Sequence, residues 1–137
     1  MANTFRLEIV TPTGVVLDDQ VVHVRCPGAA GDFGVLAGHA PMMAGLTSGR
    51  LGVDFTDHSE DYAITGGYLE VHSNAAVVLA ESCVNRKDID LDEAQSQLLD
   101  AQRVYDSAST PADQAIAQAE LNRARTRVSV ALFQRNP

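Results

Sequence analysis

The chain has 137 residues, 45% of them hydrophobic and 20% charged, the balance of a folded globular chain holding one domain or a small domain with an appendage. Its formal net charge of −8 argues against a nucleic-acid partner, because phosphate binding needs a basic face. No apolar run approaches the ~18 residues of a membrane span, and residues 1–8 show neither a basic-then-apolar leader nor an Arg- and Ser-rich amphipathic one, so no spanning segment and no export or organelle signal is expected.

Phe5, Leu7 and Ile9 alternate with Arg6, Glu8 and Val10, the period of a strand with one face on a core. Thr11-Pro12-Thr13-Gly14 is turn chemistry. Residues 15–17 then read as a short strand, Asp18-Asp19 as a corner, and residues 21–26 as a further strand. Residues 27–41 read as a shaped surface loop, with Gly28, Gly31, Gly34 and Gly38 free to take positive φ and Phe33, Val35 and Leu36 as apolar anchors. Glycines at this density suggest a phosphate cradle, but no Lys-Ser or Lys-Thr follows and no helical pattern opens after Gly38, so that reading fails.

Strands are expected at residues 42–46 and 50–55, with a polar hairpin tip at residues 57–61. Residues 62–65 lead into Gly66-Gly67, a pair that fits a bulge or a close approach of another backbone. Residues 68–72 run to a turn at Ser73-Asn74, and residues 75–84 return from it. Short strands at this spacing indicate an antiparallel β-sandwich or flattened barrel of eight to ten strands over residues 1–86.

A C-terminal α-helical hairpin is expected over residues 87–137. Asp90 followed by Glu93 reads as a capping box, and Leu91, Ala94, Leu98, Ala101 and Tyr105 recur at steps of three and four. Ser107-Ala108-Ser109 breaks that helix. Thr110 then caps a second helix, Pro111 suits its first position, and Ala117, Leu121, Ala124, Val128 and Ala131 continue the pattern. Both stripes are alanine-rich, so the seam buries little apolar area, and the hairpin is either a movable element or a fixed cover on the sandwich.

Charge is unevenly spread. Residues 1–87 carry 5 basic and 10 acidic side chains, residues 88–120 carry 1 and 8, and residues 121–137 carry 4 and none. Arg123, Arg125, Arg127 and Arg135 complement the negative end of a helix dipole, and together they also suit an acidic partner.

No active site is visible. The four histidines form no two-histidine metal motif, although His23 and His72 with Glu70 or Glu81 would be the ligands of a cupin-like site, and the spaced ligand cluster such a site needs is missing. Cys26 and Cys83 read as reduced, buried thiols. No serine lies in a Gly-x-Ser-x-Gly elbow, and Asp18-Asp19 and the acids of residues 57–61 read as solvated turns.

Residues 31–41, Gly-Asp-Phe-Gly-Val-Leu-Ala-Gly-His-Ala-Pro, closely resemble the loop shared by the ε subunits of F-type ATP synthases (the δ subunit in mitochondria). Ser48-Gly49-Arg50-Leu51, Gly66-Gly67-Tyr68-Leu69-Glu70-Val71, Val78-Leu79-Ala80-Glu81 and Leu91-Asp92-Glu93-Ala94 resemble later motifs of that family in the same order. The resemblance implies a non-catalytic rotor subunit of a proton-translocating synthase, peripheral on the cytoplasmic face of the bacterial inner membrane, with γ and the polar loops of the c-ring as partners. It places Asp32, Phe33, His39 and Pro41 at that interface, with Asp32 where the family usually carries Glu. It also implies that the hairpin can extend toward the catalytic head, where Arg123, Arg125 and Arg127 would meet an acidic segment of β, next to α, and slow ATP hydrolysis.

The family's ATP-binding hairpin carries an Ile/Leu-Asp-x-x-Arg-Ala motif, from which this chain departs. Aligned on Asp90 the arginine position holds Glu93; aligned on Asp92 it holds Gln95, followed by Ser96. Losing a phosphate-pairing cation leaves weak or absent ATP binding as the expectation, and no other cofactor is expected. Two other classes stay open from the residues alone. A sandwich adaptor with an unrelated partner would not be released with a catalytic head on purification from membranes, and a metal-dependent sandwich enzyme would carry stoichiometric metal.

Overall fold

The computed structural model describes residues 3–135. Apolar alternation puts residues 5–85 into eight strands: β1 Phe5–Thr11, β2 Gly14–Val21, β3 His23–Cys26, β4 Phe33–Leu36, β5 Met42–Leu46, β6 Gly49–Asp54, β7 Ser59–His72 and β8 Ala75–Asn85. They pair in the order β2-β1-β8-β7-β6-β3-β4, and β5 lies on β7 beside β6. All pairs are antiparallel except β1 with β8.

β7 and β8 are long enough to serve two sheets, and Gly66-Gly67 is where they change. Before that point Tyr62 and Ile64 point into the core; after it Leu69 and Val71 do, so the inward-facing parity has flipped. The same flip occurs opposite, between Cys83 and Val78, while the cross-strand register is kept. The two strands therefore turn the corner together and pass from one layer to the other. Gly66 and Gly67 sit at φ 35° and 149°, and a Cβ on Gly67 would collide with the carbonyl oxygen of Leu79, so the expected close backbone approach is present and glycine is required there.

The first layer is β2, β1, β5 and the turn-proximal halves of β7 and β8. The second is β4, β3, β6 and the other halves. Leu7, Ile9, Val21, Leu69 and Val78 of the first meet Val24, Val35, Leu51, Val53 and Ile64 of the second, all almost fully buried. This is a flattened β-sandwich, followed by a 3₁₀ turn at Arg86–Asp88 and two helices, α1 Leu91–Ser107 and α2 Pro111–Leu132.

Both helix starts follow the sequence reading. Asp90 Oδ1 accepts the Glu93 amide at 3.1 Å, and Thr110 Oγ1 accepts the Asp113 amide at 3.1 Å, each satisfying an orphan N–H of the first turn. The helices pack on each other, and α2 also packs across β6 and β7. Ala63 and Thr65, buried but outside the sandwich core, lie on the face that α2 covers. In this structure the hairpin is docked.

Several expectations need correction. Residues 27–41 are not one loop, because Phe33 and Val35 face inward and β4 pairs with β3 through the middle of the segment. Asp18-Asp19 is not a corner. β2 runs straight through both, since Asp18 faces solvent on an edge strand and pairs with Arg6 at 2.9 Å; the chain bends at Val22 instead. The hairpin tip ends at His58. Ser59 onward is strand, and Asp61 is not a solvated turn residue but buried, with 5% of its surface exposed.

Candidate functional site

Three surfaces carry the residues of interest. The first is the segment around β4. Asp32 closes the β3–β4 turn, where its carboxylate accepts from Arg25 Nη2 at 3.1 Å and both side chains are about half exposed. The Thr47 amide donates to Pro27 O at 2.9 Å and the Ala29 amide to Gly45 O at 3.1 Å, which ties this turn to the end of β5. Phe33 is half-buried against the core, and its ring occupies the space a Cβ on Gly28 would need.

His39 and Pro41 lie beyond the other end of β4. The His39 amide donates to Leu36 O at 3.2 Å, and its Nδ1 lies 2.7 Å from Ala40 O. β4 thus separates Asp32 from His39 by on the order of 13 Å, and no hydrogen bond joins them among the described residues. What holds the His39 end is Asn74, a residue the sequence marked only as turn-forming. Ser73 and Asn74 at φ 51° and 57° close β7–β8 as a two-residue hairpin, and Asn74 accepts the Gly38 amide at 2.9 Å while donating to Thr4 O at 3.1 Å.

The second surface is the outer face of the first layer, which sequence reasoning missed. Gly45, Tyr68, Leu79, Val10 and Val15 are successive cross-strand partners over β5, β7, β8, β1 and β2, so they form one lateral row. Met43 extends it. Met43, Tyr68, Val15 and Leu79 are 69%, 61%, 60% and 52% exposed, an apolar stripe of a kind monomeric surfaces seldom leave open. The signal in the sequence was apolar residues at outward strand positions, where polar ones belong.

The third surface is the hairpin. Arg123 is three-quarters buried and bridges Glu120 at 2.8 Å and Glu81 on the sandwich at 3.2 Å, so docking holds it away from other partners. Arg125 is exposed, and Arg127 is half-buried beside a groove of about 230 Å³. That groove is lined by Asp88, Asp90, Glu93 and Gln97 with Arg127 as its cation. Asp90 is the α1 cap, and Asp92 is an exposed first-turn acid that complements the helix dipole.

A fourth cluster was unforeseen. The segment after α2 crosses the outer face of the second layer, where Arg135 spans two carboxylates: Nε and Nη2 donate to Asp61 at 3.0 Å each, and Nη1 donates to Asp54 at 3.0 Å. Arg50 donates to the same Asp61 at 2.7 Å and stacks over the Phe133 ring at 3.9 Å. Burial works against the charge on Asp54, but the Ser59 hydroxyl, Arg135 and His23 outweigh it and hold that carboxyl below its usual range.

The residues of the cupin-like alternative are not brought together. Among the described residues no three His, Cys, Asp or Glu side chains are grouped to hold a metal ion: His23 Nδ1 is 3.4 Å from Asp54, and His72 Nδ1 is 2.9 Å from Ser73 Oγ at the β7–β8 turn. Cys26 and Cys83 are free thiols, and burial pushes both up to about 12, with Asp32 adding to the shift at Cys26.

Comparison with known proteins decides what this architecture is. The β-sandwich domain of the ATP synthase delta/epsilon chain matches residues 4–86, and the long α-helix domain of the same chain matches residues 87–131. The chain belongs to the ATP synthase delta/epsilon family. Among curated relatives, the ATP synthase epsilon chain of Nitratidesulfovibrio vulgaris is 38% identical over 95% of this chain and 97% of its own length. That of Anaeromyxobacter sp. is 40% identical over 91% and 96%, and the sodium-ion-specific epsilon chain of Propionigenium modestum is 34% identical over 93% of each. A chain in the Euglena gracilis mitochondrial ATP synthase structure, comprising OSCP, F1 and c-ring, superposes with a TM-score of 0.81 at 22% identity, over 95% of this chain and 82% of that one; this likeness shows the fold alone. Members of the delta/epsilon family are non-catalytic subunits of a rotary ATP synthase, and no helix of this chain's described residues is long and apolar enough to cross a membrane.

Proposed function

We propose that this chain is a central-stalk rotor subunit of a proton-translocating F-type ATP synthase, seated on γ through the outer face of its first sheet. One observation carries the reading: Tyr68, Leu79 and Val15, with Met43 and the half-buried Val10 between them, lie on the uncovered face of a sandwich whose opposite outer face is covered by its own hairpin. Apolar area of this kind supplies most of a docking interface, with rim charges adding ~0–1 kcal/mol each. Asp32, Phe33, His39 and Pro41 then lie at the foot of γ and the c-ring loops, and the assembly sits on the cytoplasmic face of the bacterial inner membrane. Residues 1–86 are the coupling unit and residues 87–137 the regulatory one. Released from Glu81, Arg123 would reach an acidic segment of β beside α together with Arg125 and Arg127. Nucleotide binding to the hairpin groove is weak or absent, because three carboxylates line it against one arginine.

The decisive experiment reconstitutes an ε-depleted catalytic head with the full chain, a chain ending at Lys87, and the variant Tyr68→Glu/Leu79→Glu. Docking through the stripe predicts that the double variant binds γ at least about tenfold more weakly; unchanged affinity refutes the placement. Slower ATP hydrolysis with the full chain than with the truncated one identifies the hairpin as an inhibitory arm, and equal rates with both bound leave coupling as its sole role. Calorimetry on the isolated chain should show no ATP binding in the low micromolar range.

A further inference from the structure

We infer that Phe133 and Arg135, just after α2, form a latch that sets how often the hairpin leaves the sandwich. The inference deepens the regulatory reading above and rests on it for its consequence, but not for its physics. α2 itself is a poor anchor: its buried residues are Ala117, Leu121, Ala124, Thr126 and Val130, of which one is a leucine and two are alanines. At ~25 cal/mol per Å² such a stripe holds a helix only modestly. The interactions that fasten its C-terminal end come instead from outside the helix.

Phe133 and Arg135 close over the second sheet as a two-part clamp. The Phe133 ring lies under the Arg50 guanidinium, and Arg135 joins Asp61 on β7 to Asp54 on β6. Asp61 is the fixed half: its side chain is 4% exposed, and Arg50, which belongs to the sandwich as Asp61 does, is hydrogen-bonded to it. Arg135 is the removable half, with its side chain about a third exposed. When the hairpin departs, Asp61 keeps one cation and is not stranded, so opening is graded and not coupled to unfolding of the sandwich.

Gly52 makes room for the latch. It lies across from Asp61 in the β6–β7 pairing, and a Cβ there would stand 2.6 Å from Arg50 Nη1 and 3.1 Å from Arg135 Nη2. The obstruction would fall on the ends of two flexible side chains and not on backbone, which offers a way to disturb the clamp from the sandwich side without touching the hairpin.

The test is amide hydrogen exchange on the full-length chain in three forms: unaltered, Arg135→Gln, and Gly52→Ala. For Arg135→Gln the amides of residues 126–132 should exchange about tenfold faster, while those of residues 69–71 in the sandwich core keep their rates. Gly52→Ala should act in the same direction with a smaller increase, and raising the salt to about 1 M should reduce the difference between the unaltered chain and Arg135→Gln. Unchanged exchange in residues 126–132 of Arg135→Gln, or an equal increase throughout the sandwich, would overturn the latch. The measurement needs no other subunit, so failure of the inhibitory-arm reading in the reconstituted head leaves it standing, and the reverse also holds.

Discussion

Sandwich and hairpin are held by different means. The sandwich rests on interdigitated Leu, Ile, Val and Phe side chains from two layers, almost all without solvent contact, whereas the hairpin seam is built from Ala94, Ala117, Leu121 and Ala124 and fastened at its edges by Arg123 to Glu81 and Arg135 to Asp61. Apolar burial is non-directional and tolerates no gap; ion pairs at a rim are specific and easily exchanged for others. One region is held by packing that no single contact controls, and the other by a few contacts whose loss would free it.

The largest effect that would break this contrast concerns the core. Leu69→Ala should cost ~2–5 kcal/mol in urea unfolding of the whole chain, while Leu121→Ala should speed exchange in α1 and α2 and leave the sandwich transition in place. If Leu121→Ala lowered the sandwich midpoint as much as Leu69→Ala, the two regions would be one cooperative unit. Gly67→Ala should cost ~1–3 kcal/mol, since it puts a side chain at φ 149° against Leu79 O, and circular dichroism melting would read it out. Thr110→Ala removes the α2 cap at ~1 kcal/mol, and its effect should be confined to exchange in the hairpin.

Smaller still is the acid dependence of docking. A carboxyl held below its usual range stabilises the folded chain above the ordinary carboxylate pKa, and that contribution is lost as pH falls through the folded value. The contribution of Asp54 should therefore disappear as the pH drops below about 4, and Asp54→Asn should flatten that limb of a melting-temperature profile between about pH 2 and pH 6. Last, the fully buried Cys26 thiol, pushed up to about 12, remains protonated at neutral pH, so a thiol reagent should modify it only at the rate at which the chain opens, and more slowly than the part-exposed Cys83.

Much of the fold was legible because it follows from local periods. Phe5, Leu7 and Ile9 announce a core-facing strand by themselves, and Asp90 and Thr110 announce helix starts because their partners lie three residues away. What the sequence hid depends on distant partners. Asp61 reads as a turn acid until Arg50 and Arg135, 11 and 74 residues away, are seen to converge on it. Asn74 reads as a turn residue until Gly38 and Thr4 arrive at its side chain. Tyr68 and Leu79 are hidden for another reason: alternation shows which way a strand residue points, and not whether the outward side will be wet or covered. The Gly66-Gly67 parity change makes this worse, since one pattern of alternation cannot be carried through it.

That corner also fixes how the molecule can bear force. Tyr68 and Leu79 stand one or two residues past it on the bare face, and Ala63 and Thr65 stand just before it beneath α2, on the same strand or its direct neighbour. β7 and β8 are thus a bent double beam whose two arms end on the two outer faces. A torque applied to the bare arm reaches the floor under the hairpin through covalent chain and ladder hydrogen bonds, with no soft loop in between to absorb it.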